Sequence, residues 1–125
     1  MGLNELAADI HFTSTSKGFE PPNAENMNQK LLLAVSEICE AQEELRDGRA
    51  LTEIYYEDSP ALPSPSDMIY GQQFNKKPCG FPVEIADTII RLLHIMSSIG
   101  VDIDAVVAEK IAYNKTRPDK HGRRF

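Results

Sequence analysis

Residues 31–47 read LLLAVSEICEAQEELRD and residues 81–99 read FPVEIADTIIRLLHIMSSI. In the first stretch Leu31, Val35, Ile38 and Leu45 recur at helical spacing, while Leu33, Glu37, Glu40 and Glu44 form the stripe beside them. In the second, Ile85, Ile89, Leu92, Met96 and Ile99 make the expected core face, with Glu84, Asp87, Arg91 and His94 along its edge. Each stretch therefore predicts an amphipathic helix carrying an acidic pair, Glu37 with Glu40 and Glu84 with Asp87. Residues three apart on a helix meet over the same turn, so each pair holds two carboxylates close together. Beside apolar side chains that repulsion is costly unless protons or cations neutralise it. Two such pairs facing each other would form a cage for hard divalent cations, which take oxygen ligands.

The rest of the chain reads as helix and loop. Leu3 or Asn4 to about Lys17 has helical character, with Leu6, Ile10 and either Phe12 or Thr13 inward, and it stops at Gly18 before Pro21 and Pro22. Asn23 suits the cap of a second helix that runs to about Asp47 and ends at Gly48. Pro60, Pro63, Pro65 and Pro78, with scattered Ser and Gly, make residues 49–80 a Pro-rich loop with at most a short helical turn near Leu51–Tyr56. A third helix starts at Phe81 or Pro82 and reaches about Ser98 before Gly100. A fourth is capped by Asp102, continues through Ile103, Val106, Val107 and Ile111 to about Asn114, and ends at Arg117-Pro118. With no repeat and no strand-like alternation, the expectation is one all-α domain over residues 1–125, a four-helix bundle.

Length and charge narrow the classes. A chain of 125 residues buries roughly two thirds of its unfolded surface in one core. No apolar run approaches the ~20 residues that span a membrane. The start lacks a basic segment followed by an apolar stretch and a cleavage site, and Leu6 stands where a myristoylation signal needs Ser or Thr. A cytoplasmic protein is expected. Cys39 and Cys79 form no CxxC, so they read as two ordinary reduced thiols. The net charge is −6; residues 115–125 hold five cations (Lys115, Arg117, Lys120, Arg123, Arg124) against Asp119, which is +4 and leaves −10 on residues 1–114. An acidic body repels a phosphate backbone, so binding to nucleic acid is disfavoured. The basic tail suits one phosphorylated small molecule instead.

Three segments together, SEICE (36–40), GFPVEIADTIIRLL (80–93) and EKIAYNKTRPDKHG (109–122), resemble the MazG-like, all-α nucleoside triphosphate pyrophosphohydrolases over about residues 3–125. The resemblance implies an E-x-x-E helix and an E-x-x-D helix that hold Mg²⁺, matched here by Glu37 with Glu40 and by Glu84 with Asp87. It also implies Lys110, Asn114 and Arg117 near the phosphates. The implied reaction converts a nucleoside triphosphate to a monophosphate and pyrophosphate, with Mg²⁺ or Mn²⁺ as cofactor. A carboxylate near the metals would take a proton from the attacking water; Glu40, Glu43 and Glu44 are all placed for it, and Glu40 and Glu44 are carried as the catalytic candidates. Lys110 offers a point charge, Arg117 a planar fork and Asn114 a donor and an acceptor. Tyr113, Lys115, Lys120 and His121 are weaker candidates. Ser36 stands where many relatives have a third acid, and His94 where they often carry an acidic residue.

Each of these residues also has a plainer reading. Glu37 and Glu40 suit a solvated acidic face with Lys30 and Arg46 nearby, Glu84 and Asp87 suit the first turn of a helix, and Lys110 and Arg117 suit a helix C-terminus. His94 has three readings, a phosphate contact, a pair with Asp87 or Glu84, or a place at a helix interface, and the structural one is favoured because a neutral imidazole is readily accommodated and no second histidine stands at ligand spacing in the sequence. Leu31–Leu33 and Ile89–Leu93 read as core. The second and third helices are apolar over more than one face, so a homodimer or homotetramer is expected to complete the bundle. Tyr55, Tyr56, Tyr70 and Phe74 are the candidates for stacking on a nucleotide base. The alternatives from other classes are a catalytically silent helical module that binds a nucleotide or a protein, and regulation through the tail on nucleic acid.

Overall fold

In the computed structural model, which describes residues 2–58 and 76–122, four helices carry most of the chain. They are α1 (Leu3–Ser16), α2 (Met27–Arg46), α3 (Phe81–Ser98) and α4 (Ile103–Thr116). Between α2 and α3 the strands β1 (Tyr55–Asp58) and β2 (Lys76–Cys79) pair antiparallel. The ribbon corrects the expectation of a strandless loop. Its local cause is charge complementarity across the pair, since Glu57 lies opposite Lys77 and Asp58 opposite Lys76. Lys76 also donates to the Asp58 carboxylate. Pro60, Pro63, Pro65, Tyr70 and Phe74 lie outside the described residues, as do Arg123 and Arg124 of the tail.

The helix ends follow the sequence closely. After α1, Gly18 N–H donates to Thr15 O and Phe19 N–H to Ser14 O; after α2, Gly48 N–H donates to Leu45 O and Arg49 N–H to Glu44 O. Both are Schellman closures, and each glycine takes the left-handed φ they require, +87° at Gly18 and +81° at Gly48. Asp102 caps α4 by accepting from Ala105 N–H. Asn23 caps a turn rather than the helix itself. Its Oδ1 accepts from Glu25 and Asn26 N–H while Asn26 Oδ1 accepts from Asn23 N–H, and α2 begins only at Met27.

The chain packs as two compact units, Met1–Lys30 with Ile90–Phe125, and Leu31–Ile89. In the first, α1 lies on α4 around Ala7, Leu93 and Ile103, with Leu3, Ile10, Met96 and Val107 packed against them. The start of α1 is tied to the start of α4. Leu3 N–H donates to Asp104 at 2.9 Å, the Asn4 amide donates to both Asp102 and Asp104, and Ile103 N–H donates to Asn4 Oδ1 at 2.8 Å. The second unit holds α2 from Leu31 onward, the ribbon and α3 up to Ile89; its buried residues include Ala34, Glu37, Ala41, Cys79 and Thr88.

The expected core faces are where the structure departs most from the sequence reading. Leu31, Val35, Ile38 and Leu45 on α2, Ile85, Ile89 and Leu92 on α3, and Ile99 just past its end are all exposed, Ile38 by 52% and Ile89 by 51%. Leu32, Ile90, Leu6 and Phe12 are exposed as well, while Leu93 is buried and Met96 partly so. Among the described residues no large side chain is completely buried. Periodicity locates an apolar stripe but not the surface that covers it, and this chain turns the stripe carrying Ala34, Glu37 and Ala41 inward instead. Among the described residues no helix is long and apolar enough to cross a membrane.

Candidate metal centre

Glu37, Glu84 and Asp87 offer carboxylate oxygens that all lie within 4.8 Å of one another. The sequence brings them there in steps. On α2, Glu37 sits between Ala34 and Ala41, three before and four after it, so small side chains leave room on the buried face and Glu37 is only 8% exposed. On α3, Glu84 occupies the first turn, where its backbone N–H donates to Gly80 O, and Asp87 follows one turn later. Glu40 lies on the exposed side of α2 but close enough to hydrogen-bond with Glu84. All four predicted metal ligands thus belong to one neighbourhood in the second unit.

The electrostatics are those of crowded acids. Glu84 is pushed up to about 7, by burial first, then by its hydrogen bond to Glu40 and by the charges of Glu40, Asp87 and Glu37. A hydrogen bond between two carboxyl groups needs one proton, and Glu84 is the group that holds it. Its other oxygen, Oε2, is buried with no hydrogen-bond partner. An orphaned buried carboxylate oxygen beside two further carboxylates fits a cation better than it fits a solvated acidic face. The donors are all oxygen, the set that suits Mg²⁺, Mn²⁺ or Ca²⁺ rather than a thiolate- or imidazole-seeking ion.

The three candidates for a proton acceptor separate clearly. Glu43 points to solvent in an exposed ion pair with Arg46 at 3.0 Å. Glu44 is half-buried, and both its oxygens lie within hydrogen-bond distance of the Tyr55 hydroxyl, at 2.8 and 2.9 Å. By helical spacing it follows Glu37 and Ala41 along the inward stripe. Glu40 is committed to Glu84. Ser36 donates its hydroxyl to Leu33 O at 2.6 Å, back onto its own helix.

Lys110, Asn114 and Arg117 belong to the first unit. Lys110 and Asn114 are exposed on the last turns of α4, and Arg117 is half-buried just beyond its end. Lys110 Nζ and the Arg117 guanidinium lie 5.0 and 5.7 Å from the centre of the Tyr113 ring, so two cations share one exposed aromatic. Sequence reasoning missed a histidine pair in the same unit. His11 Nδ1 and His94 Nε2 are 3.1 Å apart, and burial, His11 and Lys30 hold His94 below its ordinary range. Eighty-three positions separate the two, so no local spacing could have announced the contact. His94 of α3 therefore has His11 of α1 as its partner within the first unit.

Tyr55 is also used differently from its expected stacking role. Besides the bond to Glu44, its ring is covered by the Arg49 guanidinium at 3.8 Å. Tyr56, the next residue along the ribbon, is exposed and remains a stacking candidate. No family model matches the sequence, and no curated protein or solved structure matches it either.

Proposed function

We propose that the chain is a Mg²⁺-dependent nucleoside triphosphate pyrophosphohydrolase of the MazG-like kind, converting a nucleoside triphosphate to a monophosphate and pyrophosphate. The observation that carries this reading is the trio Glu37, Glu84 and Asp87 with a buried, unpartnered Glu84 oxygen. With Glu40, these residues would hold the cation, and Mn²⁺ suits the same oxygen set. When bound, Mg²⁺ supplies charge neutralisation of the triphosphate and acidifies a water molecule. Glu44, half-buried on the acidic stripe, is the group that would accept a proton from the attacking water. Lys110, Asn114 and Arg117, in the first unit, are the residues suited to phosphate oxygens, Arg117 by its planar fork.

The reading includes self-association as a homodimer or homotetramer. Aliphatic stripes left roughly half exposed on α2 and α3 support it, because each such side chain gains on the order of 1 kcal/mol when a partner covers it. The variants Glu37→Gln and Asp87→Asn test the catalytic centre: both should abolish metal-dependent turnover while leaving helicity intact. A wild-type chain that binds Mg²⁺-nucleotide without turning it over would instead establish the silent binding module, for which the absence of any contribution from Ser36 to the acidic cluster is the favouring observation.

A further inference from the structure

We propose that Tyr55 is a positioning residue for Glu44, holding its carboxylate in the one orientation from which it receives a proton from the attacking water. The inference rests on the reading of Glu44 as proton acceptor. A glutamate on a helix has three rotatable side-chain bonds, and without an anchor its carboxylate samples several rotamers. Here the Tyr55 hydroxyl lies 2.8 Å from one carboxylate oxygen and 2.9 Å from the other. A phenol has a single O–H, which these two oxygens share, so most of the acceptor capacity of the carboxylate stays open. The hydroxyl fixes the plane of the group without occupying it.

Tyr55 can anchor another residue because it is itself held on several sides. It begins β1, opposite Cys79 in the ribbon. The Arg49 guanidinium lies on its ring at 3.8 Å, and Arg49 is in turn held by Glu53 at 2.8 Å. Gly80 closes the base of the ribbon at a φ of +125°, where an added Cβ would stand 2.3 Å from Glu53 O. Only a glycine lets the chain pass this close to the backbone just before Tyr55. The hydroxyl also remains a donor throughout the working range. Glu44 and burial push it up to about 12, against a smaller opposing effect of Arg49. The charged and titratable groups around Glu44 include Tyr55 from β1, Arg49 from the turn after α2 and Cys79 from β2, with Glu40 one turn earlier on α2.

In the step this serves, the water oxygen forms a bond to the α-phosphorus and its proton passes to a Glu44 oxygen. The bond from that phosphorus to the bridging oxygen breaks, and pyrophosphate leaves with the electron pair. A carboxylate held in place makes the proton transfer part of a preorganised arrangement, which acts on kcat rather than on substrate binding.

The test is a double-mutant cycle of Tyr55→Phe and Glu44→Gln in the full chain, with kcat and KM measured for each. Phenylalanine keeps the ring and its contact with Arg49 and removes only the hydroxyl. The proposal expects Tyr55→Phe to lower kcat by on the order of tenfold with KM unchanged. In the Glu44→Gln background the same change should have no further effect, because there is no longer a carboxylate to orient. Wild-type kcat in Tyr55→Phe, a change confined to KM, or losses that multiply in the double variant would overturn the positioning role and leave the pyrophosphohydrolase reading standing. Absence of turnover in the wild-type chain fails that reading first and this inference with it, and the two failures are told apart before any variant is compared.

Discussion

At the scale of single residues, Glu84 links the stability of the chain to its chemistry. Held at about 7 against an ordinary value of 4.5, it binds a proton in the folded chain that it loses in the unfolded one. Its contribution to stability is therefore complete below 4.5 and is lost as pH rises to about 7. Above that range Glu84 adds its own negative charge to a cluster that already holds Glu37, Glu40 and Asp87. Glu84→Gln removes that charge, so the metal-free variant at pH 8 should melt a few degrees above wild type. Mg²⁺ should raise the melting temperature of wild type and leave that of the variant unmoved. Scanning calorimetry with and without Mg²⁺ decides the matter, and a metal-free variant less stable than wild type would mean that Glu84 is an ordinary structural carboxyl group. The four acids were legible in the sequence because three-residue spacing on a helix is a local fact. The orphaned oxygen was not, since burial of one atom depends on residues from two helices.

At the scale of elements, helix boundaries came almost directly from glycine, proline and capping residues, as at Gly18, Gly48 and Asp102. The ribbon did not, because Tyr55–Asp58 and Lys76–Cys79 lack apolar alternation and pair through opposed charges. Tyr55 accordingly read as a free aromatic, when it is the residue that reaches back to α2. The turn from β2 into α3 depends on Gly80, whose conformation and contact with Glu53 O exclude a side chain. Gly80→Ala should destabilise the chain by about 1–3 kcal/mol, and the base of the ribbon should lose amide protection in hydrogen exchange. Unchanged stability and protection would show that the ribbon base has room to relax. The faces of α2 and α3 were legible as apolar, but their partner was not, since a stripe such as Leu31, Val35, Ile38 and Leu45 says only that something should cover it.

At the scale of the whole molecule, the exposed aliphatic side chains of α2 and α3 set the expectation for assembly. Placing charge on the α2 stripe with Val35→Glu and Ile38→Glu should leave the helices formed but convert an oligomeric wild type to a monomer in light scattering, because each buried charge would lose hydration without a partner. A wild-type chain that is monomeric at high concentration would contradict that expectation. The charge distribution, an acidic body with a +4 end, agrees with a small phosphorylated substrate better than with a duplex. The reaction itself is tested by product analysis. The purified chain is incubated with a panel of ribo- and deoxynucleoside triphosphates and Mg²⁺ or Mn²⁺, and pyrophosphate is separated from single phosphate. The expected products are a nucleoside monophosphate and pyrophosphate, both abolished by chelation and by Glu37→Gln. Release of single phosphate, or no turnover of any member of the panel by the folded chain, would contradict the proposed reaction.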